Sequence, residues 1–392
     1  MQVPVILTPR DQSTPLNPAC TIESTDTVAT VLAKTQVAQA WLNPPNEGTT
    51  APDATPPFVL RVSAHIPEQS PPVQTVFKPA FRRLTAMSHG RITVADYWGG
   101  VRHPERAGIE ALQSGLTDLC PVYSAWDPAL FPAAQVLSLP GLFPSTEVAT
   151  QVAEELYRDY FSGDFEGQGI LMGRMVATSA YNLFSRAPIR TLEDLQGIRM
   201  ACSDGLESRI FAALGAIPVA CSTPAAKDRF KSGAVDAVSI SDSAAHTVGI
   251  YQDARFRTAA NLVRVNLEYG LSKQFFAHLP DDLKVTFNTW LRGLAQATAQ
   301  IFYGLAGARA CEVFAAAGLE SITLEPAELA RWNARLGTIE DDFIAELEAN
   351  GFPGRRMIAR LQERIAQHQT HSSDELMMMT QSAPLTDLVR PA

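Results

Sequence analysis

The sequence predicts an α/β protein built as two lobes, and three observations carry that expectation. The stretch 189–220 reads as turn, strand, helix, strand. Gly197 frees the backbone to enter the apolar run Ile198 to Cys202, Leu206, Ile210, Phe211 and Leu214 fall at helical spacing, and Gly215 ends the helix before a second run at 217–221. The same alternation of apolar runs and helical patterns, with Gly and Pro at the joints, recurs before and after this unit. At 392 residues the chain is also long enough for two cores.

Taken in order, residues 1–57 hold nine of the 27 prolines, and their only apolar periodicity lies in 27–42, where Val28, Val31, Leu32 and Val37 suit one helix. That composition predicts a mostly disordered extension. The first lobe is expected over 58–169. A strand runs to about His65, and after Pro71-Pro72 a helix places Val73, Val76, Phe77, Ala80, Phe81 and Leu84 on one face until Gly90 stops it. Residues 91–96 alternate as a strand, Pro104 starts a helix that Gly115 ends, and 116–120 is the next strand. A further helix over 147–160 turns Val148, Val152, Leu156 and Tyr160 inward. The second lobe is expected over 170–266, with Pro224 opening its second helix and 235–240 as an apolar strand. Residues 267–370 return to the first lobe and carry the C-terminal helices. Leu283, Phe287, Trp290, Leu294, Ile301 and Leu305 continue one helical pattern from Pro280 to about Ala317, long enough to clamp both lobes. A flexible tail is expected over 371–392.

Composition narrows the function. Net charge is −9, which gives a nucleic-acid partner no electrostatic support. No window of about 20 uninterrupted apolar residues offers a membrane span. Residues 1–57 show no basic start followed by an apolar core, and Asn17-Pro18-Ala19-Cys20 lacks the hydrophobic run of a lipoprotein signal. Five cysteines, odd in number, carry no zinc-type spacing, so no metal or other cofactor is expected. Cys202 and Cys221 end consecutive strands and could bridge in an oxidising compartment, but buried thiols packed as small apolar groups are the preferred reading.

Several segments together resemble one family. Pro188-Ile189 with Thr191 and Glu193-Asp194-Leu195 ahead of Gly197 is similar to the turn that precedes the ligand-reading strand in the solute-binding proteins of tripartite ATP-independent periplasmic (TRAP) transporters, the DctP type. In family order, Leu60 to His65 resembles the first strand, Asp96-Tyr97-Trp98-Gly99-Gly100 the second, and 107–120 the helix, glycine stop and strand that follow. Leu139-Pro140-Gly141-Leu142-Phe143, Gly233-Ala234-Val235-Asp236 and His278 to Leu283 complete the set, which covers about 58–320. The resemblance implies a two-lobe periplasmic-binding-protein-like fold with hinge strands, closing on a small organic solute and then docking on membrane permease subunits. It also implies a periplasmic location, whereas the chain would be cytoplasmic if Met1 is the true start. No covalent chemistry is needed. The alternative is a cytoplasmic enzyme or ligand-binding protein that reuses the fold.

Ligands of open α/β sheets bind beyond the carboxyl ends of the strands, here the cleft between the lobes. That rule nominates His65, Trp98 and Ile240, with Tyr123, Trp126 and Tyr181 in segments expected to face the cleft, and the resemblance adds Asn182 beside Ala180; the aromatic members suit a flat or apolar solute. Most relatives carry an arginine in the strand after "Asp-Leu-x-Gly" whose fork takes the ligand carboxylate; an ungapped count from Gly197 puts Ala201 there. A second arginine of many relatives falls near Ala180. Carboxylates should therefore bind weakly, and Ala201→Arg should introduce acid affinity. Arg199, on the same strand face, is the one nearby substitute, although a structural or rim charge is the preferred reading of it. A thiol–imidazole or metal site joining His65 or His246 to Cys120 or Cys202 has no supporting spacing.

Overall fold

The computed structural model describes residues 26–44 and 57–382. Eleven strands organise it: β1 Phe58–Ser63, β2 Ile92–Tyr97, β3 Leu119–Pro121, β4 Leu171–Ala177, β5 Asn182–Ser185, β6 Arg199–Cys202, β7 Ile217–Ala220, β8 Ala237–Ile240, β9 Phe256–Ala259, β10 Asn266–Leu271 and β11 Glu320–Thr323. They form two mixed sheets, ordered β2-β1-β3-β10-β4 and β11-β9-β5-β8-β6-β7. In the first, β10 runs against both β3 and β4. In the second, β5 runs against β8 and β9 while β6 is parallel to β7 and β8.

Local sequence explains why each unit closes. Leu60 and Val62 alternate inward along β1 and are fully buried. Before β6, Thr191 and Asp194 make a reciprocal capping box over the short helix Leu192–Leu195, which fixes how the chain enters the strand. The helix Leu206–Ala213 then buries Leu206, Ile210 and Phe211, and β7 follows parallel to β6 with Ala201 beside Val219. This is the expected βαβ unit.

Two segments carry the chain between the sheets. Residues 178–181 join β4 to β5, and 260–265 join β9 back to β10. They are bonded to each other: Thr178 N donates to Val265 O (2.9 Å), Val265 N to Thr178 Oγ1 (3.0 Å) and Tyr181 N to Val263 O (2.8 Å). A third connection is the helix Asp281–Ala297, which passes through a π-helical stretch, Thr298–Leu305, into Ala306–Ala316. Trp290 Nε1 donates to Ala80 O (2.7 Å) in the first lobe, whereas Phe314 packs edge-on against Phe184 of β5, ring centroids 5.3 Å apart. The helix thus fastens to both lobes.

The structure moves several expected boundaries. β4 pairs with β10 along its length, so the first crossing lies at 178–181 rather than near Ile170, and β11 adds an edge to the second sheet. Residues 27–42, expected within a loose extension, fold as helices Val28–Lys34 and Gln36–Leu42, with Trp41 only 5% exposed. A Cβ on Gly293 of the long helix would stand 2.6 Å from the Trp41 ring, so that glycine admits the indole. Ser373–Ser382, expected within the tail, is also a helix; it buries Leu376 and Met377, and Asp374 Oδ1 accepts from Val37 N (2.8 Å). Both segments carry short apolar stripes that proline-rich or polar flanks obscure. Residues 1–25, 45–56 and 383–392, with Cys20 and the possible signal sequence, lie outside the described residues.

Candidate functional site

The carboxyl ends of β1, β3, β6, β7 and β8 face the space between the lobes. On the first-lobe side, His65, Tyr123 and Trp126 form an aromatic wall: Tyr123 and Trp126 have ring centroids 4.5 Å apart, and His65 lies 6.1 Å from Tyr123 and 5.7 Å from Trp126. Burial, with His103 nearby, lowers the His65 imidazole to about 4, so it is neutral at physiological pH. Its Nε2 stands 3.5 Å from Glu105 Oε1, and its Nδ1 is buried without a partner. Behind the wall, Arg174 of β4 lies over the rings of Tyr269 (4.4 Å) and Phe77 (5.0 Å) and donates through Nη1 to Thr298 Oγ1 (2.8 Å). Burial holds the Tyr123 and Tyr303 hydroxyls well above the usual tyrosine range, so both remain neutral.

The second lobe contributes a carboxyl. Glu207, in the first turn of Leu206–Ala213, is 1% exposed, and its Oε2 accepts from Ser203 N (2.7 Å) and from Ser203 Oγ. Burial pushes Glu207 up to about 7, against the opposing pull of the nearby Ser203 and Ser239 hydroxyls. Ser239 at the end of β8 interacts with this carboxyl, but Glu207 Oε1 and the buried hydroxyls of Ser239 and Ser241 lack a hydrogen bond of good geometry. Native interiors rarely leave such atoms unpaired, and here four of them, His65 Nδ1 included, collect at the ends of β1, β6 and β8. The lobes also touch directly. Glu105 reaches Ser222 beyond β7, and Gly205, at φ 67°, lies so close to the first lobe that a Cβ would sit 2.6 Å from Gln135 Oε1.

The sequence-nominated residues divide accordingly. His65, Tyr123 and Trp126 come together, and Tyr181 sits at the hinge close enough to Glu207 for the two to interact electrostatically. Trp98 instead packs into the first-lobe core, stacked on Phe81 at 6.2 Å, with Nε1 donating to Asp96 (2.5 Å). Asn182, 2% exposed, donates to Asp242 Oδ2 (3.0 Å). Ile240 faces an apolar core with Phe184, Val238 and Ala245. Ala201 is fully buried in that same core, so an arginine there would meet Phe184 and Val238 and not solvent. Arg199 starts β6, away from the cleft end, and its fork is taken by Asp236 (2.7 and 2.9 Å), with a further bond to Gly233 O (2.8 Å). Its role as a substitute anchor is therefore corrected to a rim ion pair. Nothing in the sequence nominates Glu207, since a single glutamate in an amphipathic helix reads as a solvated residue. Among the described residues the cysteines form no site with histidine: Cys202 Sγ faces Ser208 Oγ (3.5 Å), His246 packs on Tyr251 and Phe314, and burial raises the Cys120 and Cys202 thiols. Among the described residues no group of three or more His, Cys, Asp or Glu side chains could hold a metal ion.

Two sheets joined by paired crossing segments, with unpartnered polar groups at the strand ends, are the layout of a two-lobe binding protein for a small molecule. Residues 62–346 match the family model DctP, bacterial extracellular solute-binding protein, family 7, and the chain belongs to that family. Its members are periplasmic receptors that bind small organic solutes and work with membrane permease subunits of TRAP systems. Among solved structures, the chain is similar to a TRAP solute-binding protein from Rhodoferax ferrireducens T118 in complex with copurified benzoate (18% identity, 79% of this chain and 98% of that one, TM-score 0.73). It is also similar to one from Bordetella bronchiseptica with bound (R)- and (S)-mandelate (21%, 79% and 99%, TM-score 0.71), and to an open complex from Desulfovibrio salexigens (21%, 81% and 98%, TM-score 0.70). In sequence, 178 residues are 29% identical to the uncharacterized protein YiiZ of Salmonella typhimurium, a match over 43% of this chain and about half, 53%, of that protein. No described helix is long and apolar enough to cross a membrane.

Proposed function

We propose that this chain is the periplasmic receptor of a TRAP-type system whose solute is a small aromatic or similarly flat molecule, held by hydrogen bonds it donates to Glu207 and not by a second-lobe arginine. The observation that carries the reading is the group of four buried, unpartnered polar atoms at the strand ends, Glu207 Oε1, Ser239 Oγ, Ser241 Oγ and His65 Nδ1. Glu207 Oε1 and both hydroxyls can accept a hydrogen bond from a solute, and a hydroxylated solute that pairs them removes a desolvation cost of about 1–3 kcal/mol per group. The aromatic wall of His65, Tyr123 and Trp126 supplies the apolar face. Benzoate and mandelate in the similar structures show that aromatic bodies fit this fold. The position that the resemblance assigns to the fork holds Ala201, buried in an apolar core, so no fork is supplied there, and a carboxylate would face Glu207 across the cleft.

Closure follows from the same contacts. A solute that touches His65 and Tyr123 on one side and Glu207 on the other favours the closed form by its extra contacts there, and the Glu105–Ser222 and Gly205–Gln135 contacts complete the approach. Docking of the closed form on a permease belongs to the same proposal. Calorimetry with the matched pairs benzyl alcohol and benzoate, and phenylethylene glycol and mandelate, tests it. The alcohols should bind more tightly than the acids, and tighter binding of both acids in the cleft would sink the reading.

A further inference from the structure

Two first-lobe residues beside the aromatic wall reach across to the second lobe. Glu105 and Arg106 lie in the loop between β2 and the helix Gly108–Gln113. Arg106 is tied to the wall: its guanidinium carbon stands 5.6 Å from the Trp126 ring centroid, and its Nη1 donates to Trp126 O (3.3 Å). Glu105 is half-buried, with Oε1 3.5 Å from His65 Nε2, and its carboxyl also interacts with the hydroxyl of Ser222 in the second lobe. Arg106 in turn is close enough to Cys221 to interact with it electrostatically.

On the second-lobe side, Ser222 is the N-cap of the ten-residue helix Thr223–Ser232. A serine at that position ordinarily turns its hydroxyl onto the first free N–H groups of its own helix. Here it makes no such bond, and the hydroxyl is left to Glu105. The Glu105 carboxyl thereby approaches a helix N-terminus, where the dipole favours its negative charge. A second contact closes the same seam. A Cβ on Gly205 would stand 2.6 Å from Gln135 Oε1 and 3.4 Å from Pro128 Cβ, and Gln135 Nε2 donates to Ser124 O (2.9 Å), in the short helical turn Ser124–Trp126 of the wall. The contacts between the lobes are thus fastened to the residues that would meet a solute.

We infer that Glu105 and Ser222 form a latch between the lobes, a positioning pair that draws them together before and after a solute enters and does not itself touch the solute. In an open form both groups return to water, so their interaction favours the closed form alone and strengthens by one common factor every solute that requires closure. The effect on solute binding rests on the receptor reading above; the effect on the lobes does not. Small-angle scattering without added solute, and calorimetry with benzyl alcohol and phenylethylene glycol, test the latch on the full chain and on Ser222→Ala, Ser222→Thr, Glu105→Ala and the double alanine variant. Both alanine variants should have a larger radius of gyration than the wild type, whereas Ser222→Thr, which keeps the hydroxyl, should match the wild type. Ser222→Ala should weaken both alcohols by the same factor, about tenfold, and the double variant should bind no more weakly than Glu105→Ala alone. Should Glu105→Ala fail to fold, the two serine variants decide. Radii unchanged by every substitution, Ser222→Thr behaving as Ser222→Ala, or losses that add in the double variant would each overturn the latch. If neither alcohol binds the wild type, the solute reading fails and scattering alone decides the latch.

Discussion

Replacing Glu207 by glutamine isolates the one buried carboxyl that the cleft presents from the second lobe. Its pKa is raised from an ordinary 4.5 to about 7 by burial, so between those values the folded chain holds a proton that the unfolded chain has released. Stability must then fall as pH rises through that window. At about 1.4 kcal/mol per unit the full loss is about 3 kcal/mol, and it disappears when the group cannot ionise. Glu154 and Glu268, also raised to about 7 by burial, are present in both proteins and cancel in the comparison. Urea denaturation at about pH 5, 6, 7 and 8 should therefore give curves for wild type and Glu207→Gln that nearly coincide at the acid end and diverge by about 3 kcal/mol at the alkaline end, the variant being the more stable. A variant destabilised equally at every pH would refute the reasoning, because it would mean that Glu207 is ionised and stabilising throughout.

Three further outcomes follow from the packing. Ala201→Arg should lose about 3 kcal/mol or more, since it buries an unpaired charge and overfills a closed core, and chemical denaturation will show it; a normally stable variant with new carboxylate affinity in the cleft would restore the arginine reading. Trp41→Ala should release the N-terminal helices, at a local cost of about 3–5 kcal/mol, so that trypsin cuts after Lys34 while the wild type stays protected there. Arg199→Ala should leave solute affinity unchanged by calorimetry, because its fork is bound to Asp236 at the rim; a loss of affinity would return it to the site.

The fold was legible wherever sequence periodicity coincided with burial. The βαβ unit at 189–220 and the long helix after Pro280 both rest on apolar spacing that the structure uses in the same way. The terminal helices were legible only in part: the spacing over 27–42 suited one helix, but Val28–Lys34 and Gln36–Leu42 bury only Val31, Ala38, Trp41 and Leu42 beside proline-rich flanks and Ser373–Ser382 read as tail, because their stability comes from packing on the long helix. The start of the second lobe was misplaced since β4 and β5 read alike as apolar runs, and only pairing with β10 assigns β4 to the first sheet. At the site, His65, Tyr123 and Trp126 could be placed by the rule that strand ends line the cleft. Trp98 obeys the same rule in sequence, yet its side chain turns back onto Phe77 and Phe81. Glu207 carries no sequence signal, because what marks it is burial and an unfilled hydrogen bond, and neither property is visible before the chain is folded.

The most direct test of solute recognition by Glu207 is the pH dependence of binding in the cleft. A solute that donates to Glu207 needs the ionised carboxylate, so its affinity should rise about tenfold from about pH 6 to about pH 8, in proportion to the ionised fraction of a group with a pKa near 7. Benzyl alcohol and phenylethylene glycol, titrated calorimetrically into the wild type, should show that rise and lose it in Glu207→Gln. Affinity that falls with rising pH, with benzoate and mandelate binding better than the alcohols, would mean that a protonated Glu207 donates to an acid, which contradicts recognition of a donating solute by the carboxylate.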